Sequence, residues 1–280
     1  IHAGDWSSDV CSSDLVEIKR FFKNKTDMIP KIIHYVWLGG GAKTPSVKRC
    51  IASWHKVMPD YEIKEWNESN FDINSVIWVK EAIKKKKWSL ASDYIRHYAI
   101  YTEGGIYMDT DVMTYKSFDE FLGNSFFTSV EFHPQGFEVV GAKQIDDKGY
   151  PKNPEKGVQG MGLLAALYGA EKGNAFIKEC MDFFGNRHFI NSDGSLYEQE
   201  INPGIMARLL VKHGFRYVDK QQQLAGGMLI LPSSVFAGDI LCRTKESYAM
   251  HFMDNSWKEK NFKWWLKDYV KSLLPWIFRK

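Results

Sequence analysis

The chain of 280 residues has little cysteine, little proline and almost no net charge. Its cysteines, Cys11, Cys50, Cys180 and Cys242, are widely scattered and form no CxxC pair. That spacing argues against a zinc knot or a dithiol redox centre, and suits reduced thiols in a cytoplasmic protein. A net charge of +3 is too small to draw the chain to nucleic acid. No apolar run reaches the roughly 20 residues that span a bilayer. The opening stretch IHAGDWSSDVCSSDL, residues 1–15, is rich in Ser and Asp and lacks a start Met, a basic n-region and an apolar h-region. It reads as a non-native or disordered leader and is set aside from the fold.

Aromatic residues are abundant instead, with 10 Trp, 13 Tyr and 18 Phe. Such an excess suits stacking on sugars or bases, and equally a core or an interfacial surface. Hydrophobic residues at 44% and charged residues at 25% are ordinary for a globular chain.

The pattern along the chain alternates strand and helix. Residues 32–38 form a near-continuous apolar run between Pro30 and the glycines 39–41, as in a strand buried on both faces. Residues 45–57 read as a helix with Pro45 in its first turn, 61–66 as a second strand and 76–88 as a helix. The segment SLASDYIRHYAIYTEGG, residues 89–105, predicts a helix capped by Ser89 or Ser92 and stopped at Gly104. A short strand ending in Asp109-Thr110-Asp111 follows it. Residues 141–160 read as a loop, 161–184 as a helix interrupted by glycines, 202–214 as a helix starting at Pro203 and 228–232 as a strand. Together these predict an α/β fold with a mostly parallel central sheet and added helices. Residues 16–260 form one domain on this reading.

The chemistry gathers around GGIYMDTDV, residues 104–112. In an extended strand, residues i and i+2 face the same side, so Asp109 and Asp111 converge past a strand's C-terminal end. That end is where open α/β sheets bind ligands. Two hard carboxylates suit Mg²⁺ or Mn²⁺. The plain alternative is a solvated strand end. Asp93 and Arg96, at i and i+3 on the preceding helix, form either an intrahelical ion pair or a fork for phosphate and sugar oxygens.

The segments IPKIIHYVWLGG, SLASDYIRHYAIYTEGGIYMDTDV and HFMDNSW together resemble glycosyltransferase family 32, the Asp-x-Asp sugar-binding-region enzymes that include Och-type mannosyltransferases and bacterial capsular polysaccharide and lipopolysaccharide transferases. The resemblance covers most of residues 29–257. It implies a GT-A (Rossmann-like nucleotide-diphospho-sugar transferase) fold, a UDP- or GDP-sugar donor, Mn²⁺ or Mg²⁺, retention of anomeric configuration, and a polysaccharide or lipid-linked glycan acceptor. It places Trp37 against the nucleotide base, and Asp93 and Arg96 at the donor sugar and diphosphate. Tyr107 would line the nucleotide pocket. Asp109 would contact the ribose or sugar and the metal, and Asp111 would be the firmer metal ligand. His251 would add a metal or diphosphate contact, and Ser256 and Trp257 would close over the diphosphate. Around residues 155–161 the sequence KGVQGM departs from the family's pattern, and neither acceptor site nor nucleophile is placed. Glu131 and Asp239 are candidate site carboxylates that spacing does not separate from ordinary loop residues.

The stretch 262–280 mixes aromatic, aliphatic and basic residues, as an amphipathic helix lying on a membrane or docking on the core would. The first of these readings puts the protein peripherally on the inner face of the cell membrane. A non-catalytic carbohydrate- or lipid-binding protein on the same scaffold is the alternative to an enzyme. A metal-dependent phosphohydrolase fits less well, because the aspartates end a late strand rather than the first.

Overall fold

The computed structural model describes residues 28–253 apart from residue 198. Ser256, Trp257, the leader 1–15 and the stretch 262–280 lie outside the described residues.

In chain order the elements are β1 (Ile32–Val36), α1 (Pro45–Val57), β2 (Glu62–Trp66), α2 (Ile77–Lys84), α3 (Trp88–Glu103), β3 (Gly105–Met108), β4 (Val112–Thr114), β5 (Phe126–Phe132), α4 (Pro134–Val139), β6 (Met161–Ala170), α5 (Ala175–Gly185), α6 (Asn202–Leu210), β7 (Gln222–Leu224), β8 (Met228–Leu231), α7 (Ser233–Phe236) and β9 (Ala249–His251). Seven strands form one sheet in the order β2-β1-β3-β6-β5-β8-β7, and β4 pairs with β9 in a separate two-stranded ladder. Strands β2, β1 and β3 run parallel, as do β5 and β8. β6 runs antiparallel to both β3 and β5, and β7 antiparallel to β8. The sheet is therefore the mostly parallel α/β arrangement that the sequence predicts. The C-terminal ends of β1, β3 and β5 open on one edge.

Alternation along the strands divides the core between the two faces. Ile106 and Met108 of β3 pack with Trp54 of α1 and Phe236 of α7 on one face. Tyr107, between them, points to the other face, where Ile100 of α3, Cys180 of α5 and Met206 of α6 cover the sheet. Among the described residues no helix is long and apolar enough to cross a membrane.

Two local expectations change. Residues 161–170 are a strand rather than the start of a helix, and all ten are buried. An apolar run without alternation suits a buried strand or a buried helix equally, and only the neighbours decide. Here β6 sits between β3 and β5, where burying each of Leu163, Leu164 and Leu167 contributes roughly 1.5–3 kcal/mol. Gly169, read as a helix interruption, is a close approach between strands, since a Cβ there would lie 2.4 Å from the Phe127 ring. Secondly, α3 begins at Trp88 with Lys87 at its cap position, and neither Ser89 nor Ser92 caps it. The Ser92 hydroxyl is used elsewhere, donating to the Ser89 carbonyl and accepting from Arg96. Gly104 does end α3, at φ 72° and ψ −177°, a backbone that favours glycine. At Gly105 (φ 110°) a Cβ would meet the Ile32 carbonyl oxygen at 2.6 Å. The glycine pair thus permits the reversal from α3 into β3 beside β1.

Candidate active site

The Asp-Thr-Asp segment is a turn rather than the end of an extended strand. β3 stops at Met108, and the Asp109 N–H donates to the Ala166 carbonyl at 2.8 Å. Val112 N–H then donates to the Asp109 carbonyl at 3.0 Å, closing a tight turn over 109–112. The outgoing strand β4 is tied to α1 by the Trp54 indole N–H, which donates to the Val112 carbonyl at 2.7 Å. β4 pairs antiparallel with β9, with Val112 opposite His251. That register carries His251 across 140 residues of chain to a point beside Asp111.

Asp109, Asp111 and His251 each present one ligand atom, and these atoms lie within 4.8 Å of one another. The Nε2 of His251 is 3.2 Å from Asp111 Oδ1. Burial alone would lower the His251 pKa, but the Asp111 carboxylate holds it up at about 9. Its buried Nδ1 has no hydrogen-bond partner among the described residues. Two hard carboxylates beside an imidazole form a donor set that could hold a divalent metal ion.

Beneath this turn lies the buried face of α3. Arg96 Nη2 is 3.3 Å from Asp93 Oδ1 and 3.5 Å from Asp109 Oδ1. Its guanidinium donates from Nη1 to the Ala165 carbonyl at 2.9 Å, from Nη2 to Ser92 Oγ at 2.8 Å and from Nε to the Ser92 carbonyl at 3.3 Å. The fork expected to grip a phosphate is thus largely taken up inside the protein, and Arg96 acts on the site through its charge. Despite burial, the facing Asp109, Tyr107 and Asp93 hold Arg96 above its ordinary pKa, so it stays cationic. Tyr107 is likewise buried rather than lining an open pocket, and its hydroxyl donates to Asp109 Oδ1 at 2.6 Å. Burial pushes that phenol well above its ordinary pKa and keeps it a donor.

Asp93 connects the site to a network not foreseen from the sequence. The Asn202 side-chain amide donates to Asp93 Oδ1 at 3.1 Å, while its carbonyl oxygen is 3.2 Å from His97 Nε2. The other His97 nitrogen, Nδ1, is 2.9 Å from the Tyr168 hydroxyl. Since the Asn202 oxygen can only accept, His97 carries its proton on Nε2 and accepts from Tyr168 at Nδ1. Burial lowers the His97 pKa to about 3, so the ring remains neutral. Burial also lifts Asp93 to about 6, against the pull of Arg96. The signal available in the sequence was that Asp93, Arg96 and His97 share a helical face at i, i+3 and i+4. No sequence signal pointed to Asn202, which opens α6 more than a hundred residues later.

Trp37 follows β1 directly. It is half-buried, its indole N–H donates to the Gly41 carbonyl at 2.7 Å, and Lys43 Nζ stands 5.3 Å from its ring centroid. The structure therefore brings Asp93, Arg96, Tyr107, Asp109, Asp111 and His251 together, and sets Trp37 at the end of the strand beside β3.

Comparisons with known proteins bear on the same region. Residues 44–128 match the family model of the glycosyltransferase sugar-binding region containing a DXD motif. The chain is 27% identical over 125 residues to inositol phosphoceramide mannosyltransferase 3 of Schizosaccharomyces pombe, a match spanning 42% of this chain and 34% of that protein. It is 28% identical over 109 residues to an uncharacterized glycosyltransferase of Acanthamoeba polyphaga mimivirus, spanning 36% of this chain and 42% of that one. The chain thus covers less than half the length of either relative. Among solved structures, the PaToxG glycosyltransferase aligns at a TM-score of 0.42 with 15% identity, over 66% of this chain and 70% of that one. The galactosyltransferase LgtC, solved with donor and acceptor sugar analogs, aligns at 0.40 with 13% identity, over 86% and 94%. The matched segment runs from the first turn of α1 through α3 and the Asp109–Asp111 turn into β5, so the similarity to the DXD-containing glycosyltransferase sugar-binding region covers the elements that build this site.

Proposed function

We propose that this protein transfers a sugar from a UDP- or GDP-sugar to a hydroxyl of a polysaccharide or lipid-linked glycan, with retention of configuration and with Mn²⁺ or Mg²⁺. The observation that carries this reading is the convergence of Asp109, Asp111 and His251 within 4.8 Å, next to the buried cation Arg96. A divalent ion held by those three residues supplies positive charge against a diphosphate leaving group. Tyr107 and Arg96 fix Asp109 from below, so the carboxylate is already oriented when ligand arrives. Such preorganised charge is the main resource for stabilising a departing nucleoside diphosphate. Trp37, at the end of β1, offers an aromatic face for the base. Asp93, anchored by Asn202 and paired with the same Arg96 nitrogen as Asp109, supports the donor sugar. Activity at the inner face of the cytoplasmic membrane completes the proposal.

The test is a panel of nucleotide sugars incubated with and without Mn²⁺, read by release of free nucleoside diphosphate. Metal-dependent release from one donor supports the assignment and identifies both base and sugar. Sugar binding without nucleotide or metal would favour a non-catalytic carbohydrate-binding protein instead.

A further inference from the structure

A second polar cluster lies on the same edge of the sheet. Glu131 is the penultimate residue of β5, and its Oε1 is 3.1 Å from His133 Nε2. The other ring nitrogen, Nδ1, is 3.0 Å from Asp239 Oδ2. Asp239 is itself held at Oδ1 by the Leu241 N–H at 2.9 Å. With a carboxylate at each nitrogen, the ring is satisfied only when doubly protonated, and Asp239 and Glu131 lift its pKa to about 10. Glu131 is only 7% exposed, yet Oε2 accepts no hydrogen bond among the described residues and is not sealed from solvent. A buried carboxylate oxygen of this kind needs a donor from outside. Gly238 lies over the cluster, where a Cβ would come within 3.3 Å of Glu131 Cγ and 2.9 Å of Leu164 Cδ1.

The cluster adjoins the candidate metal-ligand set through the backbone: the His251 N–H donates to the Ala237 carbonyl at 3.2 Å, two residues before Asp239. Along the edge the strands follow in the order β1, β3, β6, β5. Trp37 follows β1 and the Asp109–Asp111 turn follows β3. With strands about 4.8 Å apart, β5 lies about 10 Å beyond β3, room for one sugar ring with its hydroxyls.

We infer that Glu131, clamped by His133 and Asp239, is a subsite for hydroxyl groups of the acceptor sugar. This rests on the nucleotide-sugar reading above: a base at Trp37 and a diphosphate at the turn leave the receiving group on the β5 side. A Glu131 carboxylate already facing the His133 ring offers its other oxygen as an acceptor, which selects O–H donors. Hydroxyls of the donor sugar share that chemistry, so the test separates the two sources.

Binding of UDP and GDP in the presence of Mg²⁺ is measured first by calorimetry. The protein saturated with the tighter nucleotide and Mg²⁺ is then titrated with the methyl glycosides of mannose, glucose and galactose, followed by saturation-transfer NMR. At least one glycoside is expected to bind, and Glu131→Gln and Asp239→Asn each to weaken it about tenfold to a hundredfold, with nucleotide binding unchanged. The shape-conserving Gln and the more exposed Asp239 position give two independent variants, whose folding is checked by thermal unfolding. Equal glycoside binding in folded variants, or none in the wild type, overturns the acceptor assignment. So does a weakened affinity for the nucleotide sugar relative to the free nucleotide, which would give Glu131 to the donor. Absence of metal-dependent nucleotide binding in the wild type would instead overturn the nucleotide-sugar reading itself.

Discussion

His251 stands opposite Val112 in the β4–β9 ladder, and this single register brings its imidazole to 3.2 Å from Asp111. The candidate metal-ligand set is therefore assembled by strand pairing between segments far apart in the chain. Asp111→Asn leaves that pairing intact but removes a ligand charge. We predict that Mn²⁺ affinity falls at least about 100-fold and metal-dependent nucleoside diphosphate release is lost, while the urea midpoint stays within the wild-type error. Normal metal binding by calorimetry would refute this assignment of the ligands.

Tyr107 reaches the site only through Asp109. Tyr107→Phe keeps the buried ring and deletes the donor at 2.6 Å. A hydrogen bond to a charged group contributes about 1.5–3 kcal/mol, so metal affinity should drop about tenfold to a hundredfold. The expected signature is restored binding at high Mn²⁺, which sets the variant apart from loss of a direct ligand. A titration indistinguishable from wild type would rule out this positioning role.

Asn202 bridges Asp93 and His97 in the core, and both groups depend on it. Asn202→Leu strands a carboxylate and an imidazole N–H without partners. We predict a loss of about 2–4 kcal/mol in stability by urea unfolding, together with weakened nucleotide-sugar binding. His97→Gln, which can still donate to Asn202, should cost less. Equal losses in the two variants would show that the chain of hydrogen bonds does not act as described.

His133 provides a pH test independent of the metal site. Its folded pKa is raised from the ordinary 6.5 to about 10 by Asp239 and Glu131. Between those values the folded protein binds the proton and the unfolded chain does not. The stabilisation is therefore complete below about pH 6.5 and lost as pH rises through about 10. In urea titrations from pH 6 to 10, the wild type should lose more stability than His133→Gln. Parallel curves would mean that the imidazolium is not held between the two carboxylates.

Much of the fold was legible because it follows local rules. Residues 45–57 have helical apolar spacing with proline in the first turn, and α1 has those bounds. The run at 32–38 is apolar and bounded by Pro and Gly, and β1 lies within it. β6 was misread because a run buried on every side carries no period. The Asp109–Asp111 segment was expected to be extended, and its carboxylates converge instead through a turn closed by Val112 N–H. For Arg96 the sequence supplied the charge and the helical face, but not the carbonyl of Ala165, which occupies one of its donors.

By itself the sequence determined the paired aspartates, the Asp93–Arg96 helix before them and the glycines that allow the chain to reverse between the two. These are properties of neighbours in the chain, governed by backbone freedom and helical periodicity. Only the tertiary structure decided that His251 stands beside Asp109 and Asp111, that Asn202 holds Asp93, and that Glu131, His133 and Asp239 form one cluster. The His251–Asp111, Asn202–Asp93 and Asp239–His133 contacts each span more than a hundred residues, in registers that no local pattern encodes, whereas Glu131 and His133 are near neighbours that only Asp239 joins into a cluster. Burial then settles what they do, by choosing which groups keep their charge and which must find a partner.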